Sequence, residues 1–268
     1  MKIRASVGIL TFNSAATLRR ALLSVRAFDD IVVCDGGSSD DTLTIAQEFG
    51  ARIIVQDAKF KNPDGTLKDY GGVRNQLLGA ARHEWFLYID SDETISDGLR
   101  EEIKKAIEEP SDALVYRVPI GIMMDGRYIK YSSNYPGYQT RFFNKHSGAR
   151  FIRTVHERIE FGREVAVGTF NHPWYVHTTR EFWRDYLTTR TSKYRTNEVK
   201  EACEQPFMSY VRYTVLWHVR TALAVFVKTL YIRLVHGGSN AVPFMGEMGR
   251  AAVPLVHAWR VTVCRLRG

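Results

Sequence analysis

Cysteine is scarce in this chain of 268 residues, with only Cys34, Cys203 and Cys264. Three thiols without C-x-x-C spacing make neither a disulfide framework nor a zinc site, so the small secreted scaffolds are excluded and a reducing, cytoplasmic environment is expected. Long hydrophobic runs are lacking too. In the apolar segment from Phe207 to His236 the uncharged stretch Thr221 to Val227 is seven residues, against the roughly 20 that a bilayer span requires, so no transmembrane helix is expected. The opening MKIRASVGILTF is too short in its apolar part for a secretory signal and reads as a first strand. No G-x-G-x-x-G follows that strand, which argues against a dinucleotide-dependent dehydrogenase. Internal repeats and low-complexity tracts are absent.

What is present suits a large folded domain with an appendage: 45% hydrophobic residues and a formal net charge of +8. The charge is unevenly placed. Residues 1–179 hold 23 basic and 23 acidic side chains, while residues 180–268 hold 14 basic and 6 acidic. The excess therefore belongs to the last third, where it is too interleaved with apolar residues, and too devoid of a binding motif, for nucleic acid to be the expected partner.

Along the chain, apolar runs at 3–10, 31–34, 51–56 and 85–90 alternate with helical patterns at 15–26, 38–50 and 72–83. Strands and helices at such short intervals predict an α/β fold with a mostly parallel sheet covered on both faces. Ligands of such sheets sit at the carboxyl ends of the strands, where Thr11 to Asn13, Asp35 to Ser38 and Asp90 to Asp92 would converge. After a solvated helix at 97–109, the segments LVYRVPIGIM, RYIKYSS, QTRFFN, FIRTVHERIEF and EVAVGTF read as short strands of a small mixed extension. From about residue 179 the pattern is helical. The expected organisation is a catalytic domain over 1–178, with a ligand-binding half at 1–95 and a second half at 110–178, followed by a basic helical region over 179–268.

The most informative motif is Asp90-Ser91-Asp92, which follows the apolar run Trp85 to Ile89. Two carboxylates at the end of a buried strand suit a hard divalent cation, Mg²⁺ or Mn²⁺, held against a diphosphate whose oxygens complete the shell. An ordinary polar turn has the same composition. At the end of the second strand, CDGGSSDDT puts Asp35 where a carboxylate can accept a base N–H, with Gly36 allowing close backbone approach and Ser38 and Asp40 placed to cap the next helix. A tight turn with an N-cap is the alternative. Thr11, Phe12 and Asn13 close the first strand, and Asn13 suits either a cap or a nucleotide contact.

Read in order, VGILTFNSAATLRRAL, IVVCDGGSSDDT, GGVRNQLLGAARHEWFLYIDSDE and TVHERIE resemble the family 2 glycosyltransferases, whose fold is called GT-A, over roughly residues 5–160. The resemblance is closest to bacterial hexosyltransferases that build lipopolysaccharide core or related glycans. It implies an inverting transferase, a nucleotide diphosphate sugar (usually UDP-linked) as donor, a glycan or glycolipid as acceptor, and Mg²⁺ or Mn²⁺ as cofactor. Asp35 would lie at the base, Asp90, Ser91 and Asp92 at the metal and diphosphate, and Arg74 near the diphosphate. The stretch departs from the family's usual DGxSxDGT in having Asp41 where glycine is common.

An inverting transfer needs a base on the acceptor side. Glu157, in the family-like VHE segment, is the candidate, with a strand glutamate paired to Arg153 or Arg158 as the alternative. The resemblance also makes His177, downstream in PWYVHTT, a candidate third metal ligand, with a donor to the diphosphate or a helix cap as the alternatives. Glu93, His156 and Tyr138 are candidate acceptor contacts. In the tail, Arg212, Arg220 and Lys228 recur among aromatic residues, which suits an anionic membrane surface. Their eight-residue spacing, however, spreads them around a helix, and a homodimer interface would account for the same pattern. A helical hairpin broken at Gly237 and Gly238 is expected, peripheral at the cytoplasmic face of an inner membrane. The rival functions are a nucleotidyltransferase and a nucleotide-sugar-binding scaffold without turnover.

Overall fold

The structure is a computed structural model and describes residues 2–109, 111–134, 136–154, 157–192, 199 and 202–267. The chain divides into two compact units, residues 1–121 with 136–176, and residues 122–135 with 177–268.

The first unit is built on alternating strands and helices: β1 (Ile3–Thr11), α1 (Ala15–Val25), β2 (Phe28–Asp35), α2 (Thr42–Glu48), β3 (Arg52–Val55), α3 (Tyr70–Ala80) and β4 (Trp85–Asp90). β1 pairs in parallel with β2 and with β4, and β2 in parallel with β3. Central parallel strands are covered on both faces, which is why their sequences are continuous apolar runs: Val7, Ile9, Val32, Val33, Leu87 and Ile89 are buried. α1 closes one face through Leu18, Ala21, Leu22 and Val25.

β2 begins earlier than its apolar run. The run 31–34 is preceded in the strand by Phe28, Asp29 and Asp30, and Asp30 is buried. Its carboxylate accepts from Arg52 Nε at 2.8 Å, Ser6 Oγ at 2.6 Å and the Arg82 amide at 2.9 Å, so the charge is fully compensated.

Beyond β4 come β5 (Glu93–Ile95), α4 (Asp97–Glu108), β6 (Ala113–Met124), β7 (Arg127–Ile129) and β8 (Tyr138–Asn144). β8 runs antiparallel to β4 and to β6, so the strands expected as an extension join the same sheet and make it mixed. The segment FIRTVHERIEF divides into β9 (Arg150–Ile152) and β10 (Arg158–Glu160), an antiparallel pair. β11 (Ala166–Thr169) and β12 (Trp174–Thr178) follow. The sheet order is β3-β2-β1-β4-β8-β6-β12-β5.

The second unit holds α5 (Arg180–Arg184), α6 (Tyr186–Ser192), a helix Phe207–His236 and a return helix Phe244–Arg267. Segment 122–135, expected within the catalytic domain, belongs to this unit. The break falls at Gly237, whose φ of +70° ends the first long helix. That helix runs 30 residues with a mean hydropathy of 1.3 in its most apolar window, long and apolar enough by composition to cross a membrane. The expectation of no such helix is corrected, because counting uncharged stretches ignores that a continuous helix tolerates single charges within an apolar segment.

Candidate active site

The parallel register brings the three loops together. Thr11 lies beside Asp35 in the β1–β2 pair, and Leu10 beside Asp90 in the β1–β4 pair. A cavity of about 590 Å³ opens at these strand ends, lined among others by Thr11, Phe12, Gly36, Gln56, Lys61, Tyr70 and Ser91. Thr11, Phe12, Gly36 and Ser91 were anticipated. Gln56, Lys61 and the stretch Asp64 to Leu67 were not. Lys61 Nζ donates to the Gly36 carbonyl at 2.6 Å and so ties that stretch to the β2 loop.

Asp35 does not line this cavity. Its Oδ1 accepts from Thr11 Oγ1 at 3.0 Å and Ser38 Oγ at 2.5 Å, and its Oδ2 from the Gly37 and Ser38 amides at 2.8 and 2.7 Å. Four donors fill the roughly four acceptor sites of a carboxylate. Burial raises the Asp35 pKa, but the bonds from Ser38, Gly37 and Thr11 outweigh it and hold the group below its ordinary value. The residue expected to accept a base N–H is thus saturated by the loop that it organises. Ser38 serves that lattice and does not cap α2, while Asn13, at φ +47°, accepts from the Ser39 amide at 2.9 Å. Asp40 reaches across to the first amide of α1, Ala15, at 3.0 Å.

A second cluster lies around Arg74 on α3. Its guanidinium is buried and donates from Nη2 to Asp90 Oδ1 at 2.7 Å and from Nε to Glu157 Oε1 at 2.5 Å. The remaining nitrogen, Nη1, is buried and has no hydrogen-bond partner among the described residues. Glu157 therefore pairs with Arg74, and not with Arg153 or Arg158. The local sequence explains this placement. A Cβ at Gly71 would overlap the Arg153 carbonyl oxygen, so only glycine lets α3 approach the loop after β9. The Tyr70 amide then donates to the Thr154 carbonyl at 2.9 Å, and the Asn75 side chain pairs with the Phe151 backbone at 2.8 and 2.9 Å. Asn75 is thereby a structural clamp. Arg153 itself sits at φ +72°, a strained value for a residue with a side chain.

Glu93, a candidate acceptor contact, has its carboxylate engaged by protein donors. It is buried in a two-pronged pair with Arg141, at 2.9 and 3.1 Å, and its Oε2 accepts from the Asp90 amide at 2.9 Å. Arg141 stacks over Trp174 at 3.7 Å and Tyr88 at 4.5 Å. Burial pushes the Glu93 carboxyl up to about 7 against the pull of Arg141, with Asp90 and Asp92 adding to the rise. Nothing in the sequence marks Arg141 as the partner of Glu93, 48 residues away.

Desolvation raises Asp90, but the Arg74 and Arg141 charges more than offset it, and the group is held low. Asp92 is exposed and enters no ion pair among the described residues, and desolvation together with the Asp90 charge raises its pKa. An open carboxylate beside a second one fits a divalent cation, whose charge would relieve that repulsion. Among the described residues no group of three or more His, Cys, Asp or Glu side chains is arranged to hold a metal, and His177, in the second unit, is part of none. Tyr138, at the start of β8, is half exposed. His156 lies outside the described residues.

Residues 6–167 match the profile of glycosyl transferase family 2. The chain belongs to that family. A glycosyltransferase of Rickettsia felis, itself uncharacterised, is 28% identical over 213 residues, covering 75% of this chain and 70% of the relative. The SunS glycosyltransferase of Bacillus subtilis, of prophage origin, is 28% identical over 155 residues, 56% of this chain and 33% of SunS. Among solved structures, S. aureus TarS 1-349 in complex with UDP aligns over 100% of this chain and 92% of its own, at 16% identity and a TM-score of 0.45. This family 2 glycosyltransferase thus has the expected α/β architecture of GT-A type, with a mixed sheet and C-terminal helices.

Proposed function

We propose that this enzyme transfers a hexose or amino sugar, with inversion, from a UDP-linked donor to a hydroxyl of a glycan or glycolipid such as lipopolysaccharide core, at the cytoplasmic face of a membrane. The observation that carries the reading is the double pairing of Arg74 with Asp90 and Glu157, which joins the carboxylate at the end of β4, next to the cavity-lining Ser91, to a second carboxylate.

The base would occupy the cavity beside the exposed ring of Phe12, with Gln56 and Lys61 as polar neighbours, while the diphosphate would lie toward Ser91. Asp90 and Asp92 would hold Mg²⁺ or Mn²⁺, with diphosphate oxygens completing the shell and His177 a candidate further ligand; the cation would supply charge neutralisation of the departing diphosphate. The Nη1 of Arg74, without a partner among the described residues, offers a donor to the same group. Glu157 accepts the proton of the attacking hydroxyl as the new C–O bond forms and the bond to the diphosphate breaks, which requires it to loosen from Arg74. Tyr138 and His156 remain acceptor contacts within this proposal.

The test is transfer and UDP release from a panel of nucleotide sugars with and without Mn²⁺, using Asp92→Ala and Glu157→Gln. Loss of metal-dependent turnover in Asp92→Ala, and loss of transfer with retained UDP binding in Glu157→Gln, are expected. Normal metal-dependent turnover in Asp92→Ala would sink the metal assignment. Collapse of donor affinity in Glu157→Gln would remove it as the base. Donor binding without turnover across acceptors would favour a scaffold, and pyrophosphate release a nucleotidyltransferase.

A further inference from the structure

The helix Phe207–His236 is inverted in polarity. On the side packed within its own unit it presents Thr214, Ala222 and Thr229, all buried, together with Tyr210 and Ile232. On the open side it presents Leu216, Val219, Leu223, Phe226, Leu230 and Leu234, with Leu223 60% and Leu234 85% exposed. At about 100° per residue these six form one strip roughly 80° wide along the helix. The return helix likewise packs through Gly246, Gly249 and Ala258 and exposes Met245, Trp259 and Leu266. Hydroxyl bonds join the two helices, as between Tyr210 and Thr262 at 2.7 Å. Small and hydroxylated residues at a helix contact, with large apolar ones outward, is the pattern of helices whose outer face meets hydrocarbon.

The charges select the orientation. Tyr213, Trp217, Arg220, Lys228 and Tyr231 fall on the flank next to the apolar strip, about 80° to 160° around from Arg212. Arg212 heads the strip near its amino end. A helix crossing the bilayer would carry Arg220 and Lys228 into the hydrocarbon, whereas a helix lying in the interface puts both, with the aromatic rings, at headgroup depth. A groove of about 560 Å³ between this flank and Ser133, lined also by Thr221, gives headgroup phosphates a place beside Arg220.

We infer that the hairpin of the second unit docks in the plane of an anionic bilayer, with the leucine strip in the acyl boundary and the Trp217–Arg220–Lys228 flank on lipid phosphates. This deepens the membrane placement proposed above, and it is read without turnover. The experiment uses the full chain with vesicles of phosphatidylcholine alone and with about a quarter phosphatidylglycerol. UDP binding is measured on the same samples, so that failure of docking and failure of the enzymatic reading are seen apart.

Cosedimentation with the anionic vesicles is expected, and Leu223→Glu/Leu230→Glu, both at exposed positions, should abolish it with unchanged thermal unfolding. Arg220→Gln/Lys228→Gln should weaken it about thirtyfold. Nitroxide at the headgroup should quench the fluorescence lost in Trp217→Phe more than nitroxide deep in the acyl chain. Failure of the folded wild-type chain to sediment overturns the inference, as does wild-type binding by the Leu223→Glu/Leu230→Glu variant. So does a dimer in light scattering that this variant dissolves without any vesicle binding, since the strip would then be a self-interface. Stronger quenching by the deep label overturns the in-plane orientation.

Discussion

Arg74 Nε and Glu157 Oε1, 83 residues apart in sequence, are joined at 2.5 Å, and the same guanidinium holds Asp90 from its other side. Two carboxylates therefore raise the affinity of Arg74 for its proton, despite a burial that acts against the charge. One side chain fixes both the metal-side aspartate and the candidate base.

Replacing Arg74 with lysine keeps the charge but removes the fork that reaches two carboxylates at once. We expect kcat to fall by about 10² or more, by analogy with loss of one preorganised donor, with a lowered melting temperature because the fork was buried. Steady-state kinetics and thermal unfolding check this. Arg74→Lys with unchanged kcat would mean that the double pairing has no part in turnover.

The strand ends were legible because parallel strands covered on both faces are mainly apolar, as in IRASVGILT and WFLYID. Asp90 and Asp92 stood out against that background. The burial of Asp30 was hidden, since its partner Arg52 is on another strand and its helper Ser6 on a third. Gln56 and Lys61 were hidden for a related reason. Nothing in their neighbourhood sets them apart from surface residues, and only the fold of the stretch after β3 turns them to the cavity. The pairing of Glu93 was hidden because its partner Arg141 lies 48 residues further on, in β8.

Asp30 gives a pH-dependent test. Burial raises its pKa, but Arg52, Ser6 and the Arg82 amide lower it further, to below the ordinary value. A lowered folded-state pKa stabilises the protein above the unfolded value of about 3.9, and that stability is lost as pH falls through the folded value. Asp30→Asn should therefore cost about 3 kcal/mol near neutral pH, with the gap to wild type closing below about pH 4. Denaturant melts across pH read this directly, and a gap that widens in acid would reverse the assignment.

Cys34 provides a probe of the sheet itself. It is fully buried on β2, and burial, with the Asp35 charge, pushes its thiol up to about 12. Only thiolate reacts with disulfide reagents, so Cys34 should stay silent in the native protein at mild alkaline pH and become titratable on unfolding. Rapid native labelling of Cys34, located by peptide mapping, would contradict its burial.

The approach of α3 to the loop after β9 depends on Gly71, and this gives the sharpest separation of structure from chemistry. A methyl group there would overlap the Arg153 carbonyl, a backbone atom that cannot swing aside as a side chain can. Gly71→Ala must push α3 away from the loop, strain the Tyr70–Thr154 bond, and draw Arg74 away from Glu157 while leaving the helix free to follow Asp90. We expect a loss of about 1–3 kcal/mol, the usual range for overpacking. Transfer should fall far more than UDP binding, because α3 lines the cavity only through Tyr70, while Thr11, Phe12, Gly36, Gln56, Lys61 and Ser91 come from other elements. Calorimetric UDP titration beside transfer kinetics makes the comparison; an equal loss in both would mean that the clamp shapes the donor site as a whole and not the carboxylate pairing.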